Sequence, residues 1–490
     1  MSALSGLAPP APLADNLLAA RELMAFTLGF HIILACVGVA LPAMMLIAEL
    51  KGRQSGDEVA LDLARRWSKA AAVLFAVGAV TGTVLSFEMG LLWPRFMERF
   101  GDVFGTGFAI EGIFFFTEAI FIAIYIYGWK RIDGWKHWWT GVPIVIAGIG
   151  GAFSVVAVNS WMNQPDGFRL DASGNPVDVE PLGALFNPAT GYEFPHMLLG
   201  AYMVVGFGLA SVYAVAMLRD PAKRGDRRHR LGLLIPLTVA AVLTPVQLFV
   251  GDTAARGVAD HQPAKFAGFE CIQRTGPDQT EWIGGICTAD GVEYGIGIPG
   301  LDSLLVGFST DTVVTGLDQI PDDEEPPANT MLHLAFDAMV GIGFALLALG
   351  AWLGFGWWRH REIPATKWFL RAVALSGIGA VIAMEAGWIV TEVGRQPWSA
   401  YEVMRTSEAV TAAGGLWFWL GGAILLYAAL GTVAVLAVRR IARGEERVAV
   451  LRATGRLAWV ALYGLWFAAV AIVAARFAPR AATVLIVGAV

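Results

Sequence analysis

Long apolar stretches alternate with short polar segments along the chain. A helix needs about 20 largely apolar residues to cross a bilayer. Ten stretches approach or exceed this length: residues 22–50, 70–93, 109–128, 141–161, 196–218, 231–251, 331–357, 368–390, 416–438 and 457–475. The last is followed by another apolar run, ATVLIVGAV. The pattern predicts an all-α fold, a polytopic membrane bundle of nine to ten transmembrane helices.

Lysine and arginine are concentrated in every second connection between these stretches. The basic connections contain clusters such as Lys51 with Arg53, and Lys130 with Arg131. The connections 94–108, 162–195 and 391–415 carry only one or two basic residues each. Because cytoplasmic loops hold the excess of basic residues, the first group is expected on the cytoplasmic side. Ten spans would then place both termini outside.

Composition supports a membrane location and excludes several other classes. Of 490 residues, 56% are hydrophobic and 16% are charged, whereas about a quarter are charged in a typical soluble domain. The net charge is −6, and the basic residues do not form one concentrated patch, so no nucleic-acid partner is expected. Three cysteines exclude a disulfide-rich scaffold, a four-cysteine zinc site and an iron–sulfur cluster held by this chain alone. The N-terminus lacks a basic region before its first apolar stretch, and we expect a short uncleaved tail.

These patterns give a provisional domain layout. An N-terminal tail (1–21) precedes spans one to six (22–251), and spans seven to ten (331–475) precede an apolar C-terminal tail (476–490). Between the two groups of spans lies a long connection, 252–330, which faces outside in this topology. Cys271 and Cys287 both lie in it, so a disulfide is possible in an oxidising compartment, and three free thiols are the alternative.

A small set of ionisable or metal-ligating side chains interrupts the apolar stretches. Such residues are costly in a membrane and usually mark function. They are His31, Glu88, Glu111, Glu118, His196, Asp337, Met339, Glu385 and Glu392. Most lie near the outer ends of their spans, and Glu118 lies two helical turns further inward than Glu111. Histidine, methionine and carboxylates gathered at one depth indicate haem irons, although Glu88 and Glu392 could simply lie at the water interface.

Histidines elsewhere have weaker claims as ligands. His333 lies at the mouth of a span, where an interfacial position accounts for it. His137, His229, His261 and His360 are expected in loops.

Five local motifs resemble subunit I of cytochrome bd-type quinol oxidases. The most specific is MEAGWIVTEVGRQPW (384–398), and the others, in order, are RELMAFTLGFHI, GDVFGTGFAIEGIFFFTEAIFIAIYIYGW, VNSWMNQP and GYEFPHMLLGAYM. The resemblance runs from about residue 20 to 438. The segment TGTVLSFEMG is closer to the cyanide-insensitive branch. The usual nine spans of this family leave the tenth predicted span without a counterpart.

The resemblance implies three haems. His196 and Met339 resemble the axial ligands of a low-spin haem b, and His31 and Glu385 resemble ligands of a high-spin haem b and of a haem d or third haem b. Glu111 would lie beside the oxygen-reducing haem, as a weak ligand or proton donor, and Glu118 on the proton path from the cytoplasm. Arg21 and Arg395 would bind the cofactors, because a guanidinium pairs well with a haem propionate.

The long connection resembles the short form of the family's quinol loop. Its segment HQPAKFAGFE carries Lys265 and Glu270, which match a Lys-x4-Glu pair linked to quinol oxidation. Asp337 stands where some relatives have arginine. The implied partners are quinol (ubiquinol or menaquinol), O2, a second oxidase subunit, a possible small single-span subunit and the lipid of a bacterial cytoplasmic (inner) membrane.

The implied function is oxidation of quinol at the outer face and reduction of O2 to water, with electrogenic proton uptake from the cytoplasm. Two alternatives remain open from the sequence. A proton-coupled secondary transporter could use the buried carboxylates, and a related haem protein could take electrons from another donor. Absence of haem would favour the first, and failure of quinols to support oxygen uptake would favour the second.

Overall fold

The structure, a computed structural model, describes residues 11–443, with side chains from residue 16 onward. The predicted tenth span (457–475) and the apolar C-terminal tail (476–490) lie outside the described residues, so the structure does not address them. The helix that contains the first span begins at Ala11. Half of the stretch expected as an N-terminal tail is therefore already helical.

The described range forms helices, short strands and two 3-10 turns. The helices are α1 (Ala11–Ser55), α2 (Glu58–Leu92), α3 (Pro94–Gly128), α4 (Gly134–Asn163), α5 (Pro181–Leu185), α6 (Thr190–Arg219), α7 (Arg227–His261), α8 (Pro263–Glu270), α9 (Leu301–Gly307), α10 (Asn329–His360), α11 (Lys367–Gly394), α12 (Thr406–Ala409) and α13 (Leu416–Arg443). The strands are β1 (Arg169–Leu170), β2 (Pro176–Val177), β3 (Glu281–Ile283), β4 (Ile286–Thr288), β5 (Gly291–Glu293), β6 (Ile296–Ile298), β7 (Trp398–Ala400) and β8 (Met404–Arg405). They pair antiparallel as β1–β2, β3–β6, β4–β5 and β7–β8.

Nine of the described helices are long and apolar enough to cross a membrane: α1, α2, α3, α4, α6, α7, α10, α11 and α13. They contain the first nine predicted spans, which confirms the all-α membrane bundle. Their apolar spans lie in helices of 28 to 40 described residues. At 1.5 Å per residue, even 28 residues extend about 42 Å, which exceeds the hydrocarbon core of about 30 Å. Several helix ends therefore project beyond the hydrocarbon region.

The chain divides into two compact units. Within the described range, the first contains residues up to Gly38, Arg66–Met97 and the segment from Val410 onward. Its core places Tyr427 against the rings of Phe26 and Phe30, with centroids 5.6 and 4.9 Å away. This aromatic contact joins α13 to α1.

The second unit contains Val39–Arg65 and Glu98–Ala409. Its centre is a bundle of α6, α7, α10 and α11, in which α6 contacts both α7 and α11. Small residues permit close helix approach: a Cβ added at Gly206 would lie 2.7 Å from Ala240 Cβ, and one at Gly377 would lie 2.9 Å from Ser211 Cβ. In lipid, the hydrophobic effect does not drive helices together, because the lipid tails are as apolar as the helix surfaces. Helices associate instead through close packing contacts such as these.

A buried polar cluster joins the second unit's part of α1 to α3 and α4. Glu49 accepts hydrogen bonds from Tyr125 Oη (2.6 Å), His137 Nδ1 (2.8 Å) and Arg53 Nε (2.7 Å). His137 is fully buried within α4, so the prediction that it lies in a loop is wrong. Its second nitrogen, Nε2, lies 2.8 Å from the Tyr125 carbonyl. Both ring nitrogens of His137 have partners within the protein, and its role is structural.

The connection between α7 and α10 is folded rather than irregular. α7 continues to His261, α8 follows at once, and the β4–β5 hairpin lies between the paired strands β3 and β6. Turns at Gly284, Gly285 and Gly291 have positive φ angles of 65°, 109° and 129°, which glycine adopts without a Cβ clash. The Cys271–Cys287 disulfide forms across a separation of 16 residues. Closing a loop of that length stabilises a fold by about 3 kcal/mol.

Candidate active site

His196 lies on α6 and faces α7 within the central bundle of the second unit. A Cβ added at Gly251 would lie 3.0 Å from its Cε1 atom, so glycine gives the ring its space. The Gln247 amide lies 3.2 Å from His196 Nδ1, and the buried Gln247 Oε1 has no hydrogen-bond partner among the described residues. A half-turn of that amide would let Oε1 accept from Nδ1–H and leave Nε2 with a lone pair for a metal. The surroundings of His196 fit an iron ligand.

Met339 reaches the same bundle from α10. Its Sδ atom would lie 3.0 Å from a Cβ at Gly387 on α11. One turn earlier on α11, Met384 packs against Gly200, and Gly200 is one turn from His196 on α6. The structure thus brings His196 and Met339 into one four-helix bundle, in which glycines lie beside both side chains. An imidazole with a free Nε2 and a thioether are the donor set of a six-coordinate haem.

His31 lies in the first unit, between α1 and α2. Its Nδ1 is 2.8 Å from Thr81 Oγ1, and that hydroxyl donates its hydrogen to the Gly78 carbonyl at 3.0 Å. Thr81 can therefore only accept from His31, which makes Nδ1 the protonated nitrogen. Nε2 keeps its lone pair, as a ligand to iron requires. On the same unit, buried Glu88 accepts a hydrogen bond from Thr27 (2.5 Å) and is not simply interfacial.

Three carboxylates of the second unit belong to the predicted site. Glu385 on α11 has a buried oxygen, Oε1, without a hydrogen-bond partner in the described part of the chain. Glu111 and Glu118 lie seven residues apart, and therefore close to one face of α3. Glu118 is buried, and its Oε1 also has no hydrogen-bond partner among residues 16–443. Such orphaned oxygens fit a carboxylate that serves as a metal ligand or carries a proton.

Lys265 is buried at the end of the bundle where α4 ends and α6 begins. Only 3% of its surface is exposed, although its place in a connection suggested exposure. Its Nζ donates to Gln262 Oε1 (2.7 Å) and Asn163 Oδ1 (2.9 Å). Burial lowers the pKa of Lys265 to about 7, against the opposing attraction of Glu193. The amine can therefore change its charge near neutral pH.

A network of amides and carboxylates surrounds this lysine. Asn163 Nδ2 and Ser160 Oγ each donate to Glu193 at 2.8 Å. Asn159 and Arg395 each donate to Glu392 at 2.6 Å. The motifs VNSWMNQP, GYEFPH and GRQPW thus meet around Lys265. Sequence reasoning missed the contribution of Glu193, Asn163 and Gln262, because isolated amides and acids at helix ends carry no signal of their own.

Arg395 is the other buried cation of this network. Its side chain is 3% exposed, and Nη1 and Nε have no hydrogen-bond partners among the described residues. A buried guanidinium with two unused donor atoms can bind another acidic group. That Arg395 contacts a cofactor carboxylate stays a prediction.

Glu270 ends α8 and is also buried, on a different side of that helix from Lys265. The Lys265 amine and the Glu270 carboxyl group do not pair with each other, because their side chains contact different neighbours. Burial raises the pKa of Glu270 well above its usual range, and the neighbouring acids Glu281, Asp302 and Asp337 add to the effect. A carboxyl group in this setting accepts a proton readily. Beside it lies a cleft of about 250 Å³, whose lining includes Glu270, Gln279 and Trp282.

His333, on α10, connects that helix to α8 and to the turn after β3. Its Nδ1 is 2.8 Å from the Phe269 carbonyl, and its Nε2 is 3.2 Å from the Gly284 carbonyl. The ring is fully buried, so His333 is a structural histidine rather than an interfacial one. Asp337, one turn further along, accepts from the Gly284 amide at 2.6 Å and faces the folded connection.

Comparison with known proteins identifies the family of this chain. Residues 19–446 match the family described as cytochrome bd terminal oxidase subunit I. The solved structure of bd oxidase from Geobacillus thermodenitrificans is 36% identical and covers 88% of this chain and 99% of that chain, with a TM-score of 0.82.

Two curated proteins of Bacillus subtilis (strain 168) are also similar. The cytochrome bd ubiquinol oxidase subunit 1 is 30% identical over 88% of this chain and 95% of its own length. A second protein, provisionally named cytochrome bd menaquinol oxidase subunit I, is 36% identical over 86% of this chain and 95% of its own length. The chain therefore belongs to the cytochrome bd terminal oxidase subunit I family, whose members are multi-pass membrane subunits of quinol:oxygen oxidoreductases.

Proposed function

We propose that this subunit oxidises quinol at the outer face of the bacterial cytoplasmic membrane, beside α8, and supports reduction of O2 to water with protons taken from the cytoplasm. The observation that carries the proposal is the burial of Lys265 and Glu270 on α8. Both residues lie at the end of the bundle that contains His196 and Met339. An exposed loop would not hold an amine and a carboxyl group in this way.

The residues around α8 provide what quinol oxidation needs. A quinol must lose two protons and two electrons, so a carboxylate within reach of its hydroxyl groups promotes the reaction. Glu270 is positioned to accept such a proton and pass it toward the adjacent cleft. Lys265, held by Gln262 and Asn163, is positioned to donate a hydrogen bond to a quinol oxygen.

The ligand residues fit three haems, which the family implies. His196 and Met339 would hold a low-spin haem b, His31 a high-spin haem b, and Glu385 with Glu111 a haem d or third haem b. When bound, these groups supply one-electron transfer and an open iron position for O2. Arg395, and Arg21 on α1, would neutralise propionates. Glu118 would hold protons that arrive from the cytoplasmic side. It would pass them to Glu111, which lies two helical turns away on the same face of α3.

The proposed sidedness makes the reaction electrogenic. Protons from quinol leave outside near Glu270, and protons for water enter from inside through Glu118. Charge therefore separates across the membrane without a pumping element. Two quinols supply the four electrons that each O2 requires. A second subunit completes the oxidase, as the family implies.

A spectrum of the purified two-subunit oxidase tests this assignment directly. We expect low-spin b bands in the dithionite-reduced minus oxidised spectrum, about three haems per copy of this chain, and oxygen uptake driven by quinol. A long-wavelength chlorin band identifies haem d, and its absence indicates a third haem b. Haem without quinol-driven uptake would contradict the proposed electron donor. Folded two-subunit protein without haem would contradict the whole ligand assignment.

The pH dependence of quinol oxidation should report Lys265. Because burial lowers the pKa of Lys265 to about 7, the ammonium form is present below pH 7 and is lost as pH rises. We expect kcat/KM for quinol to fall by about tenfold per pH unit above this value, as for loss of one essential proton. In Lys265→Arg the cation persists, and the alkaline fall should move above pH 9. The measurement is kcat/KM from pH 5.5 to 9.5.

Lys51→Arg is the matched control. Lys51 is an exposed lysine near the C-terminal end of α1, in a connection expected on the cytoplasmic side. It should keep the wild-type profile. Lys265→Arg could lower kcat/KM uniformly through its larger size, so the shape of the profile is the readout. Identical profiles for wild type and Lys265→Arg would contradict the role of Lys265.

A further inference from the structure

Three acidic side chains converge in the folded connection between α7 and α10. Glu270 comes from the end of α8, Glu281 from β3 and Asp302 from α9. One oxygen of each carboxylate lies within 4.8 Å of one oxygen of each of the other two. These residues are separated by 11 and 21 positions along the chain, so folding of the connection is what brings them together.

The cluster contains buried oxygens that nothing in the described chain satisfies. Glu270 is 4% exposed and Asp302 is 1% exposed. Glu270 Oε2 and Asp302 Oδ2 have no hydrogen-bond partner among the described residues. A buried carboxylate oxygen without a partner is costly, and native proteins normally pair it with a donor or a cation.

Among the described residues, none of these three carboxylates forms an ion pair, although Arg274 lines the cleft beside Glu270. The ring of His333 lies 3.5 Å from Asp337 Oδ2, next to the cluster. When ionised, Glu270, Glu281 and Asp302 are three carboxylates that repel one another. Burial, together with repulsion from Asp302 and Asp337, raises the pKa of Glu281 to about 7, and burial raises that of Asp302 to about 7. A bound cation would remove this electrostatic conflict.

We infer that Glu270, Glu281 and Asp302 form a binding site for a divalent cation, and that Ca²⁺ is the ion whose coordination suits it. Three oxygens spaced by up to 4.8 Å can all lie within about 2.8 Å of a common point. Ca²⁺ accepts oxygen ligands at about 2.3 to 2.6 Å in flexible geometries of six to eight, whereas Mg²⁺ demands a tighter octahedron. The adjoining cleft offers room for the waters that would complete the coordination. This site shares Glu270 with the proposed quinol site, and its test reads Ca²⁺ binding and melting rather than turnover, so its failure is distinguishable from failure of the proposed function.

Calcium binding to the intact oxidase tests the inference. Purified two-subunit oxidase is stripped with a chelator, and radioactive Ca²⁺ binding is measured by equilibrium dialysis. We expect wild type to bind one more Ca²⁺ per chain than Asp302→Asn or Glu281→Gln, with at least about tenfold weaker binding in each variant, since each removes a charged ligand. Asp311→Asn changes an exposed acid of the same connection and should bind like wild type.

Thermal unfolding provides a second readout that does not rely on radioactivity or turnover. Ca²⁺ should raise the melting temperature of wild type and of Asp311→Asn, because a ligand that binds only the folded state stabilises it. It should not raise that of Glu281→Gln, whose half-buried side chain is the least damaging of the three to replace. Wild type that binds no more Ca²⁺ than Glu281→Gln, or that melts identically with Ca²⁺ and with chelator, would overturn the inference. Equal protection by Mg²⁺ at the same concentration would overturn the assignment to Ca²⁺.

Discussion

Replacing His196 with alanine is expected to remove the low-spin haem b signal from the reduced-minus-oxidised spectrum. A haem held by histidine and methionine is six-coordinate, and loss of the imidazole leaves at most five ligands. The bands of the other haems should persist, because their proposed ligands lie elsewhere. Quinol-driven oxygen uptake should fall further than the about 10- to 100-fold that loss of an outer-shell partner costs at a metal site.

His261→Ala is a suitable control for this experiment. His261 lies near the end of α7, is exposed, and has a ring nitrogen 3.0 Å from the Gly257 carbonyl. Its replacement should leave every haem band and the oxygen uptake unchanged. A low-spin spectrum that survives in His196→Ala would show that His196 is not an axial ligand. Loss of all haem bands would indicate that the variant does not fold, and Met339→Leu would then test the same haem from its other side.

Family membership decides between the functions that the sequence left open. The match over residues 19–446 and the similar bd oxidase structure identify a quinol:oxygen oxidoreductase, so the secondary transporter is excluded. The choice between ubiquinol and menaquinol is separate. The two Bacillus subtilis relatives carry different quinols in their names, and both are similar to this chain over most of its length.

The membrane helices were predictable because their signal is local. Each span is a continuous apolar run, and the nine described helices contain the nine runs that the pattern identified. The pairing of His196 with Met339 in one bundle could not be read in the same way. It depends on how α6, α7, α10 and α11 pack, and on glycines such as Gly251 and Gly387 that make space beside the ligands.

Burial of charged residues was the main feature that could not be predicted from the sequence. Lys265 and Glu270 lie in a connection rich in polar residues, where exposure is the ordinary expectation. They are buried because α8 packs on the bundle through Phe266 and Phe269, and Phe269 stacks on Phe336 with ring centroids 4.4 Å apart. The two phenylalanines are visible in the segment HQPAKFAGFE. The helix α8 has only eight residues, however, which are too few to show a helical period in the sequence.

The buried histidines show the same limit. His137 and His333 each have both ring nitrogens occupied by protein acceptors, such as Glu49 for His137 and the Phe269 carbonyl for His333. Their partners are 88 and 64 positions away along the chain. His31 and His196 differ because each can leave Nε2 with a free lone pair. That difference between structural and ligating histidines is one of hydrogen bonding, and the sequence does not contain it.

Glu270→Gln is expected to slow quinol oxidation strongly while leaving all haem bands in place. The amide has nearly the same shape as the carboxyl group but cannot take a proton from a quinol hydroxyl. Loss of a general base typically costs about 10²- to 10⁴-fold in rate. The effect should fall mainly on kcat, measured as quinol-driven oxygen uptake, with the reduced-minus-oxidised spectrum recorded on the same preparation.

Glu293→Gln provides the matched control for this substitution. Glu293 lies on β5 in the same folded connection, and its side chain is exposed. It should retain the wild-type rate, because its exposed carboxylate does not line the cleft beside Glu270. If Glu270→Gln lost the haem bands as well, Glu270 would be holding the fold of α8 against the bundle. If it kept the full rate, the proton would have another acceptor, and Glu193 beside Lys265 would be the next carboxylate to test, because it is the acid held by Asn163 and Ser160 in the same buried network.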